Sequence, residues 1–502
     1  MRTERVITRD LDGELIEVSD GEGVHYVKRL SLEVAWHTNA PEDLAYWLEP
    51  LVTEVDEAWS QRKLLIHYNP FLKPLSRSQL QTILRPESPL AGWRLAHLAA
   101  DLCRWLERFH TADYPQAVIH PRRVGLLDGR FVLLPTLAGI MSPLSKSLSG
   151  SIRSWLPFIA PEILRTRAKS PALLPAGDVY ALGRMLQALA APERTEVLPD
   201  DPYEAAEQIV ETSAASIPFE WPEGFDEIAE VVETMVDLSP EARPTAAELA
   251  TTFHALVGQL DPERVIQALI EERDLGEAQA HLEALNASQG EGAFAFPHSK
   301  LHLLQADVAL AQSPPDFTRA IDELEKAKGF EPKNPAIHQR IGRTYRDYTE
   351  HSQHLLLADY AYQKAALLSG WRGDIVEEWV EILQQSTSER LLERTRAIPW
   401  EKRPAVVFAR RAAALLEKGN YHGSWHECVD YFSQFGFSQS VYGTARLAAS
   451  HIPPVELLIW MRERQNIEKL PAVQAIVWER NGQPEKAALY YAHALRAASE
   501  ED

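Results

Sequence analysis

The chain has 502 residues, 45% of them hydrophobic and 25% charged, an ordinary globular composition with room for two to four domains at roughly 100–200 residues each. Its 72 acidic and 51 basic residues leave a net charge of −21. That field repels phosphate backbones and anionic lipid heads, so nucleic acid and membrane surfaces are excluded as default partners. Residues 1–36 read as strands, because Val24, Tyr26 and Lys28 to Leu30 alternate around turns at Asp12-Gly13 and Asp20-Gly21. Residues 41–60 are acidic and helical in pattern, with Pro50 breaking or restarting the helix. Lys63 to Tyr68 reads as a short buried strand. From Ser88 to His110, Leu95, Leu98, Leu102, Trp105 and Phe109 recur at helical spacing, with Ser88 placed at the N-cap and Pro89 at the first helical position. Two strands, Val124 to Leu127 and Arg130 to Leu134, flank the turn Asp128-Gly129. Past residue 150 the pattern is almost wholly helical. Its character changes at Leu260-Asp261-Pro262, beyond which paired amphipathic helices fill residues 262–500.

Cys103 and Cys428 are the two cysteines, and His422 and His426 near Cys428 have no second cysteine pair at a zinc spacing, so no metal is expected. The stretch after Met1-Arg2-Thr3-Glu4-Arg5 lacks a signal-peptide apolar core, and no run of about 18 apolar residues occurs. A cytoplasmic chain without a membrane span is expected.

Five segments resemble, in order, the large lobe of a protein kinase of the bacterial serine/threonine type. The helix ending at Phe109-His110 resembles the one before a kinase catalytic loop, and Arg123-Val124-Gly125-Leu126-Leu127-Asp128-Gly129 the strand pair after it. Ala160-Pro161-Glu162 is similar to the motif closing the activation segment. Asp178-Val179-Tyr180-Ala181-Leu182-Gly183 resembles the start of the buried helix that supports the loop, and Glu241-Ala242-Arg243-Pro244-Thr245-Ala246 the last structural motif of the lobe. The resemblance implies an ion pair between Glu162 and Arg243, with Asp178 accepting backbone hydrogen bonds from the catalytic loop.

Phosphoryl transfer needs a carboxylate to orient the attacking hydroxyl, groups to hold magnesium, and a lysine and glycine-rich loop for the phosphates. Counted without gaps from His110, Val118 falls on the catalytic aspartate, His120 on the loop lysine and Arg123 on the metal-binding asparagine, while Pro135 stands for the second metal ligand. Another register brings His120 onto the kinase loop histidine, but it needs a deletion and supplies no aspartate. Asp12-Gly13-Glu14-Leu15-Ile16-Glu17 gives the phosphate loop one glycine and three carboxylates. Lys28 resembles the phosphate-positioning lysine, with Glu49 or Glu54 as its partner; alternatively it is a surface lysine on a strand. The small lobe has room for four strands rather than five.

The second half resembles tetratricopeptide repeats, whose small residues let paired helices pack closely. Ala475, Trp478, Gly482, Ala487, Tyr491 and Ala494 carry the spacing; Ala320, Leu324, Ala327 and Pro332, then Ile341, Gly342 and Tyr345, then Ala358, Tyr362 and Ala365, carry it again. Ala412, Leu415 and Gly419 followed by Cys428 and Tyr431 give a degenerate unit, and Ala278, Leu282 and Leu285 an early one. The resemblance implies a concave protein-binding groove, whose lining is assigned to Gln339, Arg340, Arg343, Arg346, Gln474 and Val477. Arg410-Arg411 is assigned to a solvated face, and Trp371, Trp379, Trp400, Trp425 and Trp460 to hairpin packing.

The sequence thus predicts an α+β bilobal protein-kinase-like domain at 1–258, with a small lobe to about residue 75, followed by an all-α helical-hairpin repeat solenoid at 262–502. Its predicted role is a non-catalytic pseudokinase scaffold without catalytic residues, metal or cofactor, ATP binding being disfavoured, which binds a protein or peptide through the repeats and takes neither nucleic acid nor membrane. The alternatives are a nucleotide-binding switch, an atypical kinase-like transferase, and a chaperone or structural subunit of an assembly.

Overall fold

The structure is a computed structural model that describes residues 3–9, 13–20, 23–31, 49, 51–58, 63–113, 119–134, 154–166, 174–192, 198–214, 219–288, 294, 296–351 and 353–500. The chain divides into two compact units, residues 1–297 and 298–502.

The first unit opens with five antiparallel strands: β1 (Thr3–Arg9), β2 (Gly13–Asp20), β3 (Gly23–Ser31), β4 (Val52–Ala58) and β5 (Lys63–Tyr68), in the order β1-β2-β3-β5-β4. Leu15 pairs with Lys28, which pairs with Ile66, so these three share one face. Leu15 and Ile66, with Tyr68, join the main core of the unit; Ile16, Val18 and Val27 form a small cluster of their own. The sheet has five strands where the sequence suggested four. The extra strand is β4, where a helical pattern was expected. Its residues pair with the whole of β5, which leaves β4 at the edge of the sheet. Residues 41–48 and Pro50 lie outside the described residues.

Behind the sheet come the short strand β6 (Lys73–Pro74), α1 (Arg77–Leu84) and α2 (Ala91–Thr111). The last of these is amphipathic as predicted, burying Leu95, Leu98, Leu102 and Phe109. It starts after Leu90 rather than at Ser88: the Ser88 hydroxyl accepts from Leu90 N, and its carbonyl from Ala91 N, which makes a turn ahead of the helix. The hairpin of β7 (Val124–Leu127) and β8 (Arg130–Leu133) follows. Asp128 and Gly129 have φ of 50° and 78°, the two positive values that a type I′ hairpin turn demands and that glycine meets without strain. Asp101 on α2 accepts from Phe131 N at 3.0 Å and fixes the hairpin to the helix.

The remaining helices of this unit are α3 (Pro161–Thr166), α4 (Leu174–Ala190), α5 (Pro202–Ala214), α6 (Asp226–Met235), α7 (Ala246–Gln259), α8 (Pro262–Glu271) and α9 (Leu275–Ala287). Helix α4 is buried almost all round, from Gly177 to Ala190. Helix α7 begins with a Thr245/Glu248 capping box and packs along α2. The compact unit runs on to residue 297, past the 258–262 change in pattern. Residues beyond α7 are tied to α2: Arg94, fully buried, bonds the Ser288 hydroxyl and the Ile83 carbonyl, and Phe294 packs against Trp93 and Phe131 at 5.5 and 5.6 Å. The Ala278–Leu285 hairpin helix therefore belongs with the first unit.

The second unit is all helix: α10 (His298–Ala311), α11 (Phe317–Phe330), α12 (Pro335–Asp347), α13 (His354–Leu368), α14 (Gly373–Gln384), α15 (Ser388–Arg396), α16 (Ala405–Glu417), α17 (Tyr421–Phe435), α18 (Gln439–Ser450), α19 (Pro454–Glu463), α20 (Pro471–Arg480) and α21 (Pro484–Glu500). Neighbours pack in pairs, most extensively α10 with α11, α12 with α13, α16 with α17 and α20 with α21. Small residues sit at these contacts: Ala320, Ala327, Ala358, Ala365, Ala412 and Ala475 are fully buried. A Cβ on Gly342 would stand 2.7 Å from the Tyr362 ring, so only glycine lets α12 approach α13 this closely. No helix among the described residues is long and apolar enough to cross a membrane.

Candidate functional site

Three features of the first unit bear on chemistry: a buried lysine, an ion-paired scaffold and a cleft. Lys28 is not a surface lysine. It is 3% exposed, on the sheet face that carries Leu15 and Ile66. Of its two suggested partners, Glu49 is an exposed turn residue and Glu54 lies on β4, with β5 between it and β3. Neither stands on a helix.

The scaffold is built around Arg243. Its guanidinium bonds both Glu162 oxygens, at 2.6 and 3.0 Å, the Ala176 carbonyl at 3.0 Å and the Asp237 carbonyl at 2.7 Å, and lies over the Tyr180 ring. A fork of this kind satisfies most guanidinium donors, the condition for burying the charge. It joins the start of α3 to the start of α4 and the segment before α7. One turn along α4, Asp178, fully buried, is bonded at 2.9 Å to His110 Nε2 near the end of α2. The resemblance implied loop-backbone donors for Asp178; among the described residues the His110 side chain bonds it, and residues 114–118 of the loop lie outside them.

The segment leading into β7 is clamped by aromatics. His120 packs 4.3 Å from the Trp155 ring and 4.9 Å from Phe158, and its Nδ1 accepts from Arg122 N. Burial, then the Arg122, Arg123 and Arg77 charges, push its pKa down to about 3, so the ring is neutral. Arg123, 2% exposed, lies over the Trp155 ring at 5.4 Å.

A cleft of about 750 Å³ opens between the first three strands and the start of α1. Its apolar wall is Val6, Ile7, Leu15 and the Tyr26 ring. Its charged lining is Arg5, Arg77 and Arg122 against Glu17. Glu17 stands opposite Tyr26 on β3, and burial, then this carboxylate, raise the Tyr26 phenol. Nothing in the sequence joins these three arginines: they are far apart along the chain, and Arg122 falls in the loop segment at a position to which the kinase pattern gives no phosphate role.

In the second unit the proposed groove residues are already engaged. Arg340 pairs with Asp307 on α10, and Arg346 with Asp347. Arg343 and Gln339 both bond Glu378 on α14, which also accepts from Tyr362 at 2.9 Å. Gln474 is 8% exposed and Val477 fully buried. Gln339, Arg340 and Arg343 tie α12 to α10 and α14, while Arg346 pairs within its own helix and Arg343 keeps about half of its side chain exposed. Arg410 is exposed, whereas Arg411 leaves the solvated face to bond Glu427 at 2.7 Å and Thr395 at 2.9 Å. Trp379 and Trp425 are core residues, with Trp371 and Trp460 packed on them; Trp400 is 46% exposed.

No protein-family model matches the chain. Over 174 residues, 34% of its length, it is 30% identical to a probable serine/threonine-protein kinase, PkwA, of Thermomonospora curvata. The match spans 22% of that protein. The chain therefore contains a kinase-like region. This similarity corrects the expectation of a non-enzyme, since it points toward kinase activity. Of the positions on which that expectation rested, Val118 and Pro135 lie outside the described residues. Arg123, placed on a metal ligand by the ungapped count, is a buried residue packed on Trp155.

Proposed function

We propose that the chain is a kinase-like signalling protein of the cytoplasm that transfers the terminal phosphoryl group of ATP to a protein, and that its tetratricopeptide-like helices recruit that protein. The observation that carries the reading is the similarity to a serine/threonine kinase over a third of the chain, taken with a large lobe whose Glu162–Arg243 and Asp178–His110 links hold the segments around the loop in one arrangement. Catalysis of this kind is mostly positioning and charge stabilisation, and such links supply the positioning. The second unit supports recruitment because stacked helix pairs present extended surfaces to peptides and helices.

The test is transfer of γ-labelled phosphate from ATP with magnesium, to a generic basic protein and to proteins that co-purify with the full chain. Transfer to both is expected, and removing residues 298–502 should abolish transfer to the co-purified protein alone. No transfer to any acceptor, with ATP and magnesium in excess, would refute the phosphoryl-transfer reading. Transfer to the co-purified protein that survives the deletion would refute recruitment by the helices.

A further inference from the structure

In a chain of net charge −21, the cleft gathers three arginines against one glutamate. Arg77, Arg122 and Arg123 crowd around one neutral histidine, and no acidic side chain stands among the charges acting on it. The Arg77 Nε is buried and meets no hydrogen-bond acceptor among the described residues. A buried donor without an acceptor is costly and calls for an explanation. Among the described residues, the Ser76 hydroxyl and the Gln79 side-chain oxygen beside it accept from each other's backbone in a capping box, and the Glu17 carboxylate of the cleft makes no bond to Arg77 Nε. Across the cleft, Leu15 and the Tyr26 ring, on one face of the sheet by the β2–β3 register, offer an apolar wall. Lys28 is not part of the lining, being shut into the core.

We propose that Arg77 and Arg122 are the phosphate seat of this cleft, holding the phosphates of a nucleotide whose base lies against the apolar wall. The assignment rests on the phosphoryl-transfer reading for the identity of the nucleotide and departs from it in the residues used. Guanidinium forks bind phosphate oxygens with paired charge-assisted hydrogen bonds, and an acceptor at this point completes Arg77 Nε. The seat is built of side-chain cations and so binds phosphate without a divalent ion. Arg5, exposed and opposite Glu17 in the β1–β2 register, steers the anion inward rather than gripping it.

The experiment is calorimetric titration of the full chain with ATP, adenosine and inorganic tripolyphosphate, each with magnesium and with EDTA. The variants are Arg77→Gln and Arg122→Gln, with Arg410→Gln as an exposed control in the second unit. ATP and tripolyphosphate should bind in EDTA. Each cleft variant should weaken both by on the order of tenfold and leave adenosine unchanged, and Arg410→Gln should change nothing. Arg122 is exposed, so its variant tests the seat even where Arg77→Gln lowers the melting temperature. Unaltered ATP affinity in both variants, or wild-type binding only with magnesium, overturns the seat while phosphoryl transfer stands. Arginine-dependent tripolyphosphate binding in a protein that transfers no phosphate upholds the seat and sinks the transfer reading instead. A wild type that binds none of the phosphate compounds overturns the seat outright.

Discussion

Replacing Phe294 with alanine tests whether the segment beyond α7 is integral to the first unit. The ring is 2% exposed and touches Trp93, His97 and Phe131, with the Arg94 guanidinium 5.6 Å from its centroid. A buried phenylalanine removes roughly 200 Å² from water; at about 25 cal/mol per Å² this is about 5 kcal/mol. Discounting for a compact unfolded chain brings it to about 3–4 kcal/mol. That agrees with the range of about 3–5 kcal/mol for truncating core aromatics. The assay is urea unfolding of the full chain, following the first unit by hydrogen exchange of the α2 amides. A second readout is His97, whose pKa burial holds down at about 4; without the ring it should rise. Loss of less than about 1 kcal/mol, with His97 unmoved, would show that residues 262–297 merely lean on the unit. The same reasoning predicts that a fragment ending at residue 297 unfolds cooperatively and that one ending at 258 does not.

Arg243→Met should destabilise the first unit by about 3–5 kcal/mol, because it leaves Glu162 without its cation and two carbonyls without a donor; a denaturation midpoint close to wild type would contradict the clamp. Gly342→Ala should cost about 1–3 kcal/mol in the second unit, since its Cβ meets the Tyr362 ring at 2.7 Å, whereas Ala at Gly443, where nothing lies within 4 Å, should be neutral or stabilising in the same melt. The pH dependence follows from His97 and His120, held by burial at about 4 and about 3 against an ordinary 6.5. Both folded values lie below the unfolded one, so the unfolded chain binds more protons as pH falls. The stability is fully present above 6.5 and is lost progressively toward 4 and 3. At pH 5 each ring should cost about 2 kcal/mol, and equal urea midpoints at pH 7.5 and 5 would show the rings to be solvated.

The sequence by itself determined the elements whose signal is local. The Lys63–Tyr68 strand, the amphipathic α2, the Asp128-Gly129 hairpin and the small-residue helix pairs each declare themselves through periodicity or turn chemistry within about twenty residues. The α+β unit followed by an all-helical one was legible for the same reason. Glu162 and Arg243 were also legible, though 81 positions apart, because each sits in a motif of the kinase pattern. Tertiary structure alone decided everything set by which surfaces meet. Val52–Ala58 became a strand because β5 offered an open edge, overriding the helical tendency of its acidic residues. The first unit reached residue 297 because Arg94 needed the Ser288 hydroxyl and the core needed Phe294. Arg340 and Arg343 of α12 paired with Asp307 and Glu378, carboxylates that no helix period ties to them. Arg5, Arg77 and Arg122 meet at one cleft only after the sheet has settled against α1. A single sequence carries periodicity along one element in full, but the partner across a contact is fixed by packing, and that is where the charges of this protein find their use.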